Sequence, residues 1–169
     1  TNNGPVVQKL EKELGLYLGV DHVVCMANAT LGLQLAILAL LGPPNEENGK
    51  EIIVPSWTFV ATAYAVEMAG YQPVFCDCDL DTHLISLKDL ERCVTKNTRA
   101  VIGVHVWGRP CYVKQLQQFC DARKLSLIFD AAHAFGSAVN GKKIGSFGNC
   151  EVFSFHATKF FNTAAKPWI

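Results

Sequence analysis

The 169-residue chain reads as an α/β domain, a mostly parallel sheet flanked by helices. Three observations predict this. Short β-prone runs alternate with helical patterns and no long hairpins intervene, the order from which parallel sheets are built. Half the residues are hydrophobic and 18% are charged, a balance that suits strands covered on both faces. The run Arg99–His105 (RAVIGVH) is almost continuously apolar, as a buried parallel strand requires.

Each element has its own signal. Pro5–Leu18 puts Val7, Leu10, Leu14 and Leu18 on one helical stripe with charges between them, and His22–Met26 reads as a short strand. Asn28-Ala29-Thr30 opens a helix over Leu31–Leu41, in which Leu31, Leu35 and Leu38 recur at helical spacing. Asn and Thr at a helix start satisfy free backbone N–H groups. The same start attracts phosphate, because those N–H groups and the helix dipole favour an anion; a plain N-cap accounts for the same residues. Gly42–Lys50 is a polar loop, Glu51–Pro55 a strand and Thr58–Met68 a helix, with Ser56-Trp57-Thr58-Phe59 at their junction, where an aromatic ordinarily packs in a core.

Pro73–Cys76 is the next strand. Asp79-Leu80-Asp81-Thr82 after it reads as a turn whose side chains bond their own backbone rather than as a metal site. Leu87–Val94 is a helix capped by Ser86. Arg99–His105 follows, and His105, Trp107 and Gly108 close it on the pocket side, where His105 either touches a ligand or lines the rim. Tyr112–Lys124 is a helix with Val113, Leu116, Phe119 and Cys120 toward the sheet, followed by a strand over Leu125–Phe129. Gly136–Gly148 is a Gly-rich connection holding the turn signal Asn140-Gly141.

Composition excludes several classes. Lys plus Arg and Asp plus Glu both number 15, so there is no basic footprint for nucleic acid or an anionic membrane. No apolar run approaches the ~20 residues that span a bilayer, and the amino terminus does not resemble a signal peptide. No G-x-G-x-x-G follows the first strand, so a dinucleotide-binding reading lacks its fingerprint. Seven scattered cysteines read as buried reduced thiols of a cytoplasmic protein, not as a disulfide framework. Cys76 and Cys78 point to opposite faces of a strand and do not share a metal; no metal site is expected.

Two charged residues stand where apolar runs stop. Asp130 follows Ser126–Phe129, and Lys159 follows Cys150–Phe155, the run that also delivers Ser154 and His156. Ligands of parallel sheets sit beyond the carboxyl ends of the strands, so a carboxylate and an amine from two strands face one pocket. A Lys in a desolvated pocket forms a Schiff base, and an Asp beside it keeps a pyridinium nitrogen protonated, the partner that pyridoxal phosphate (PLP) needs as an electron sink. Taken singly, the Asp reads as a cap and the Lys as a solvated surface residue.

FDAAHAFGS followed by SFHATK resembles the aspartate and lysine motifs of the DegT/DnrJ/EryC1/StrS sugar aminotransferases, PLP enzymes of fold type I. NATLGLQLAI, IIVPSWTFVATAYAVEMAG, PVFCDCD and HVWGRPC resemble the family in order and spacing, so the likeness extends to Thr163. It implies that Lys159 holds PLP as a Schiff base and moves the substrate proton, and that Asp130 pairs with the ring nitrogen. By the same resemblance Ala29, Thr30 and Ser154 bind the phosphate, Phe59 stacks on the ring, and His133 lies near the phenolic oxygen. His156 either packs or orients its neighbours. A short hairpin is implied within Gly136–Gly148.

The implied reaction moves an amino group from glutamate or glutamine to a nucleotide-linked keto-sugar, in a homodimer with a shared active site. Lys159 counts against the family's dehydratase relatives, which carry His there. A lyase or decarboxylase of the same fold type, or a non-catalytic relative with a vestigial site, are the other readings. Family members continue past the Lys motif with a Gly-rich turn and a small C-terminal domain, from which AAKPWI departs. Residues 1–169 are therefore expected to be an incomplete PLP-binding large domain.

Overall fold

The computed structural model describes residues 4–45 and 49–163. Helices α1 (Pro5–Leu18), α2 (Ala29–Leu41), α3 (Ala61–Met68), α4 (Leu87–Cys93) and α5 (Val113–Arg123) surround strands β1 (Glu51–Pro55), β2 (Gln72–Cys76), β3 (Thr98–Val104), β4 (Ser126–Asp130) and β7 (Cys150–Val152). These five strands form one sheet in the order β2-β1-β3-β4-β7, and every pairing in it is parallel. The α/β expectation is therefore met.

Period-two alternation decides which side chains meet which helices. Ile52, Val54, Ala100, Ile102 and Ile128 turn to one face and pack with Leu33, Ile37, Ala65 and Val66 of α2 and α3. Ile53, Val101, Leu127 and Phe129 turn to the other and pack with Leu90, Leu116 and Cys120 of α4 and α5. Both faces are covered, which is why the strands read as apolar runs.

Several local expectations are corrected. His22–Met26 carries no ladder among the described residues; the Cys25 N–H bonds Glu11 Oε1 at 2.7 Å instead of a neighbouring strand. In α2 the buried face is Gly32, Leu33, Ala36 and Ile37, and Leu35 is exposed. Nearly every position of that helix is apolar, so periodicity selects no face. The small residues win because α2 passes close to β7: a Cβ on Gly32 would lie 3.0 Å from Val152 Cγ1. Helix α3 begins at Ala61 rather than Thr58, since Ser56–Val60 forms a non-helical connection in which the Thr58 side chain engages Thr62. Strand β7 stops at Val152 rather than Phe155 because its partner stops: Asp130 pairs with Val152, and Ala131 N–H bonds the Val152 carbonyl. Part of the polar loop Gly42–Lys50 lies outside the described residues, as does AAKPWI.

Other features agree with expectation. Asn28 caps α2 and accepts from Leu31 N–H at 2.9 Å; Ser86 caps α4 through Asp89 N–H. Asp79 Oδ1 accepts from the backbone of Asp81 and Thr82, closing its own turn. Strands β5 (Ala138–Val139) and β6 (Lys142–Lys143) pair antiparallel around Asn140 and Gly141, both at positive φ, as a tight hairpin turn demands. All seven cysteines are free, but only Cys76, Cys111 and Cys120 are buried; burial pushes the Cys120 thiol up to about 12. Among the described residues no helix is long and apolar enough to cross a membrane.

Strand β4 is held from both sides. The Phe129 ring lies so close to β3 that a Cβ on Gly103 would sit 2.7 Å from the ring and 3.0 Å from Cys111 Sγ. Gly103→Ala must displace a fully buried aromatic ring and is expected to cost about 1–3 kcal/mol. Urea denaturation of the two proteins checks this, with unchanged stability contradicting the close approach.

Candidate active site

The carboxyl ends of β1, β3, β4 and β7 open on one side of the sheet, and the amino end of α2 points to the same place. They enclose a cleft of about 2420 Å³ whose walls include Ala29, Thr30, Phe59, Asp130, His133, Ser154 and Lys159. All seven residues singled out in the sequence thus share one cavity, although they come from four separate segments.

Asp130 is the most constrained of them. It is 6% exposed at the last position of β4. Oδ2 accepts from the Thr62 hydroxyl at 2.7 Å and Oδ1 from Ala132 N–H at 3.1 Å. Thr62 is itself fully buried on α3 and lies 2.7 Å from the Thr58 hydroxyl. Because the carboxyl oxygen takes the Thr62 proton, Thr58 must be the donor to Thr62. This hydroxyl chain fixes the carboxyl plane. Sequence reasoning missed Thr62; its one signal is a hydroxyl on the helix face that otherwise carries Ala65 and Val66 into the core.

Lys159 lies in the loop after β7. Its backbone N–H donates to the His156 carbonyl at 2.8 Å, and its carbonyl accepts from Asn162 Nδ2 at 3.2 Å. Phe135 anchors the loop, stacking on Phe161 at 4.7 Å and meeting Phe155 edge-on at 5.2 Å. Tyr17 and Phe153 complete this aromatic cluster at 5.4 and 5.5 Å. These rings were not foreseen as supports for Lys159, because four of them are distant in sequence from Tyr17 and only the fold gathers them. His156 orients its own turn: Nδ1 lies 2.9 Å from the Thr158 hydroxyl and accepts from Thr158 N–H at 3.3 Å.

His133 reports the charges around it. Partial desolvation lowers the pKa of its imidazole, Lys159 lowers it further, and Asp130 opposes the shift. The ring therefore feels both the amine and the carboxyl group. Ala29 and Thr30 form the first turn of a 13-residue helix, where N–H groups and dipole favour an anion. Ser154 presents its hydroxyl nearby on the cleft wall, and Phe59, 73% exposed, offers a ring face at the mouth. Trp57 also lines the cleft, and its ring packs against His83 and Trp107 at 5.9 and 6.3 Å. His105 is among the residues that line the cleft, from a buried position under β4 where it is 1% exposed.

The donor set suits PLP. A buried carboxyl group held by two donors, an amine in the same cavity, an anion-favouring helix start and an exposed ring match a cationic heteroaromatic ring bearing a phosphate. Among the described residues the one group compatible with a metal is Cys76, Asp89 and Cys93, which is not part of the cleft wall.

Comparison with known proteins is consistent with this chemistry. The family model described as the DegT/DnrJ/EryC1/StrS aminotransferase family matches residues 1–166. GDP-perosamine synthase of Vibrio cholerae is 37% identical over 159 residues, covering 94% of this chain and 42% of that protein. The crystal structure of DesI in the presence of its TDP-sugar product shows 46% identity and a TM-score of 0.87 over 95% of this chain and 40% of that one. Spr1654 of Streptococcus pneumoniae, a sugar aminotransferase candidate solved in its PLP form, shows 31% identity and a TM-score of 0.88, covering 99% of this chain and 47% of its own. The chain spans less than half the length of each relative.

Two outcomes follow from the geometry. Thr62→Val is nearly isosteric, yet it strands a buried carboxyl oxygen and the Thr58 hydroxyl; a loss of about 1–3 kcal/mol is expected, while Thr62→Ser keeps most of the stability in urea titrations. For His133, the folded-state pKa lies below the unfolded one, so the unfolded chain binds the extra proton. Stability should fall as pH drops through the ordinary imidazole range and level off once the folded ring also protonates. His133→Gln should flatten that segment of a stability–pH curve.

Proposed function

Because the chain belongs to the DegT/DnrJ/EryC1/StrS aminotransferase family, we propose that it forms the cofactor-binding wall of a PLP-dependent aminotransferase that passes an amino group from glutamate or glutamine to a nucleotide-linked keto-sugar. The observation that carries this reading is that Asp130, at the end of β4, and Lys159, in the loop after β7, line one cleft whose remaining wall suits a phosphate. The TDP-sugar product of DesI supports a nucleotide-linked acceptor, and the PLP form of Spr1654 supports the cofactor.

When bound, PLP supplies a protonated ring that spreads the charge left by proton removal from the amino donor. Lys159 would hold it covalently through Nζ. Asp130 would face the ring nitrogen and keep its proton there; Thr62 and Ala132 fix the carboxyl oxygens so that no reorientation is needed during reaction. Ala29, Thr30 and Ser154 would hold the phosphate, Phe59 would cover the ring, and His133, whose pKa partial burial and then Lys159 hold below the ordinary imidazole range, would present a ring nitrogen beside the cofactor's oxygen. Lys159 Nζ would also be the group that moves the proton of the amino donor's α-carbon within the cleft. His156 keeps its place in this scheme by shaping the turn that delivers Lys159.

The cleft is open, and open water weakens each electrostatic contact inside it. Phe59, Val60, Tyr64 and Phe160 lie exposed on the described surface, at 73%, 69%, 53% and 99%. A second copy of the protein would cover apolar area of this kind and close the site, so the reading includes a homodimer with a shared active site. It also places this chain in the large, cofactor-binding domain of a longer enzyme.

Borohydride reduction after incubation with PLP, followed by peptide mapping, tests the assignment. The reduced adduct is expected on Lys159 and absent from Lys159→Ala. Lys143 is occupied with the Tyr17 carbonyl at 2.6 Å, and Lys142 lies over the Phe147 ring. An adduct on Lys142, Lys143 or Lys166 in place of Lys159 would overturn the reading.

A further inference from the structure

Beneath Asp130 lies a polar pair that the reaction above does not use. The His105 and Glu151 side chains are 0% and 1% exposed. Imidazole Nδ1 accepts from Cys111 N–H at 3.0 Å, so it carries no proton and the ring hydrogen sits on Nε2. Nε2 faces Glu151 Oε2 at 3.5 Å. The other Glu151 oxygen accepts from Phe147 N–H at 2.6 Å. Each side chain is thus fixed at one end and aimed at the other. Among the described residues, Nε2 and Oε2 are the buried side-chain atoms without a hydrogen-bond partner. Cys111 is the titratable neighbour; burial, then Glu151, push its thiol well above the usual range, so it stays protonated.

A buried polar pair is costly, and an apolar pair of the same volume usually supports a fold equally well or better. What this pair adds is a link across β4. The His105 ring stacks on Phe129 at 4.9 Å and 19°, and its backbone N–H donates to the Asp130 carbonyl at 3.0 Å. Glu151 is the ladder partner of Phe129 on β7. The contact therefore joins the chain after β3 to β7, under the residue that precedes Asp130. Losing it leaves the imidazole held by Cys111 alone, and loosens the ring stacking on Phe129 that seats the end of β4.

We propose that His105 and Glu151 are a positioning pair for Asp130, holding the end of β4 where its carboxyl group faces Lys159 across the cleft. The proposal rests on the reading of Asp130 as the partner of the cofactor's ring nitrogen. His105 acts as a neutral Nε2–H donor and Glu151 as its acceptor. The residues matter through a directed hydrogen, not through volume.

Two variants separate positioning from packing. Glu151→Leu removes the acceptor, and His105→Gln can still accept from Cys111 N–H and donate to Glu151. PLP affinity, read by absorbance titration, should weaken about tenfold or more in Glu151→Leu and stay within about threefold in His105→Gln. The visible band of the bound cofactor should shift in Glu151→Leu alone. Long-range proton–nitrogen spectra should show His105 as the Nε2–H tautomer in the unsubstituted protein. If Glu151→Leu does not fold, the spectra and His105→Gln still decide: a doubly protonated or Nδ1–H His105, or a tenfold loss in His105→Gln, overturns the pair. So does a folded Glu151→Leu with unchanged affinity and band, whatever its stability. Failure of the unsubstituted protein to take PLP on Lys159 is a different result, which overturns the reading of the cleft itself.

Discussion

A carboxyl group at the end of a strand whose preceding residues are wholly buried sets the terms for its neighbours. Leu127, Ile128 and Phe129 are 0% exposed and Asp130 only 6%, so the acid cannot rely on water. An unpartnered buried polar group costs several times the net gain of an ordinary hydrogen bond. Donors must therefore be delivered to it. Thr62 arrives from α3 and Ala132 from the turn after β4, and the position of α3 is set in turn by its packing on the sheet face that carries Ile128. The hydroxyl at Thr62 is less a feature of its helix than a consequence of Asp130.

The same constraint extends below the strand. Phe129 fills the space over Gly103 and against His105, and each position is shaped by the others: no side chain fits at Gly103, and the imidazole lies flat on the ring. His105 in turn needs Cys111 N–H on one nitrogen and faces Glu151 with the other. Rigid contacts of this kind suit a site that must hold charge in one geometry, because preorganised groups need not reorganise as charge develops.

Lys159 is supported by different physics. Its loop leaves the sheet where β4 ends and is secured by aromatic rings rather than ladder bonds, with Phe135 at their centre. Aromatic contacts add to burial and fix orientation, while leaving the backbone free of strand geometry. A rigid acid on the sheet thus faces an amine on a packed loop.

Strands β1 to β4, the cap at Asn28, the turn at Asn140-Gly141 and the placing of Asp130, Ser154 and Lys159 after apolar runs were legible in the sequence because each depends on local chemistry: apolar runs, short polar side chains, residues that tolerate positive φ. So was the sheet class, since strands buried on both faces leave an apolar signature that needs no partner to be read. What only the tertiary structure decided are choices between equivalent local options. Helix α2 is apolar all round, and the close passage of β7 chose its small-residue face. His22–Met26 has the composition of a strand, but a ladder requires a neighbour that composition cannot supply. Strand β7 ends where β4 ends, at a pairing set by register. Thr62, Glu151 and the rings around Phe135 acquire their roles from residues far away in the chain, and hydrogen bonds and stacking between distant segments leave no periodic trace in either one.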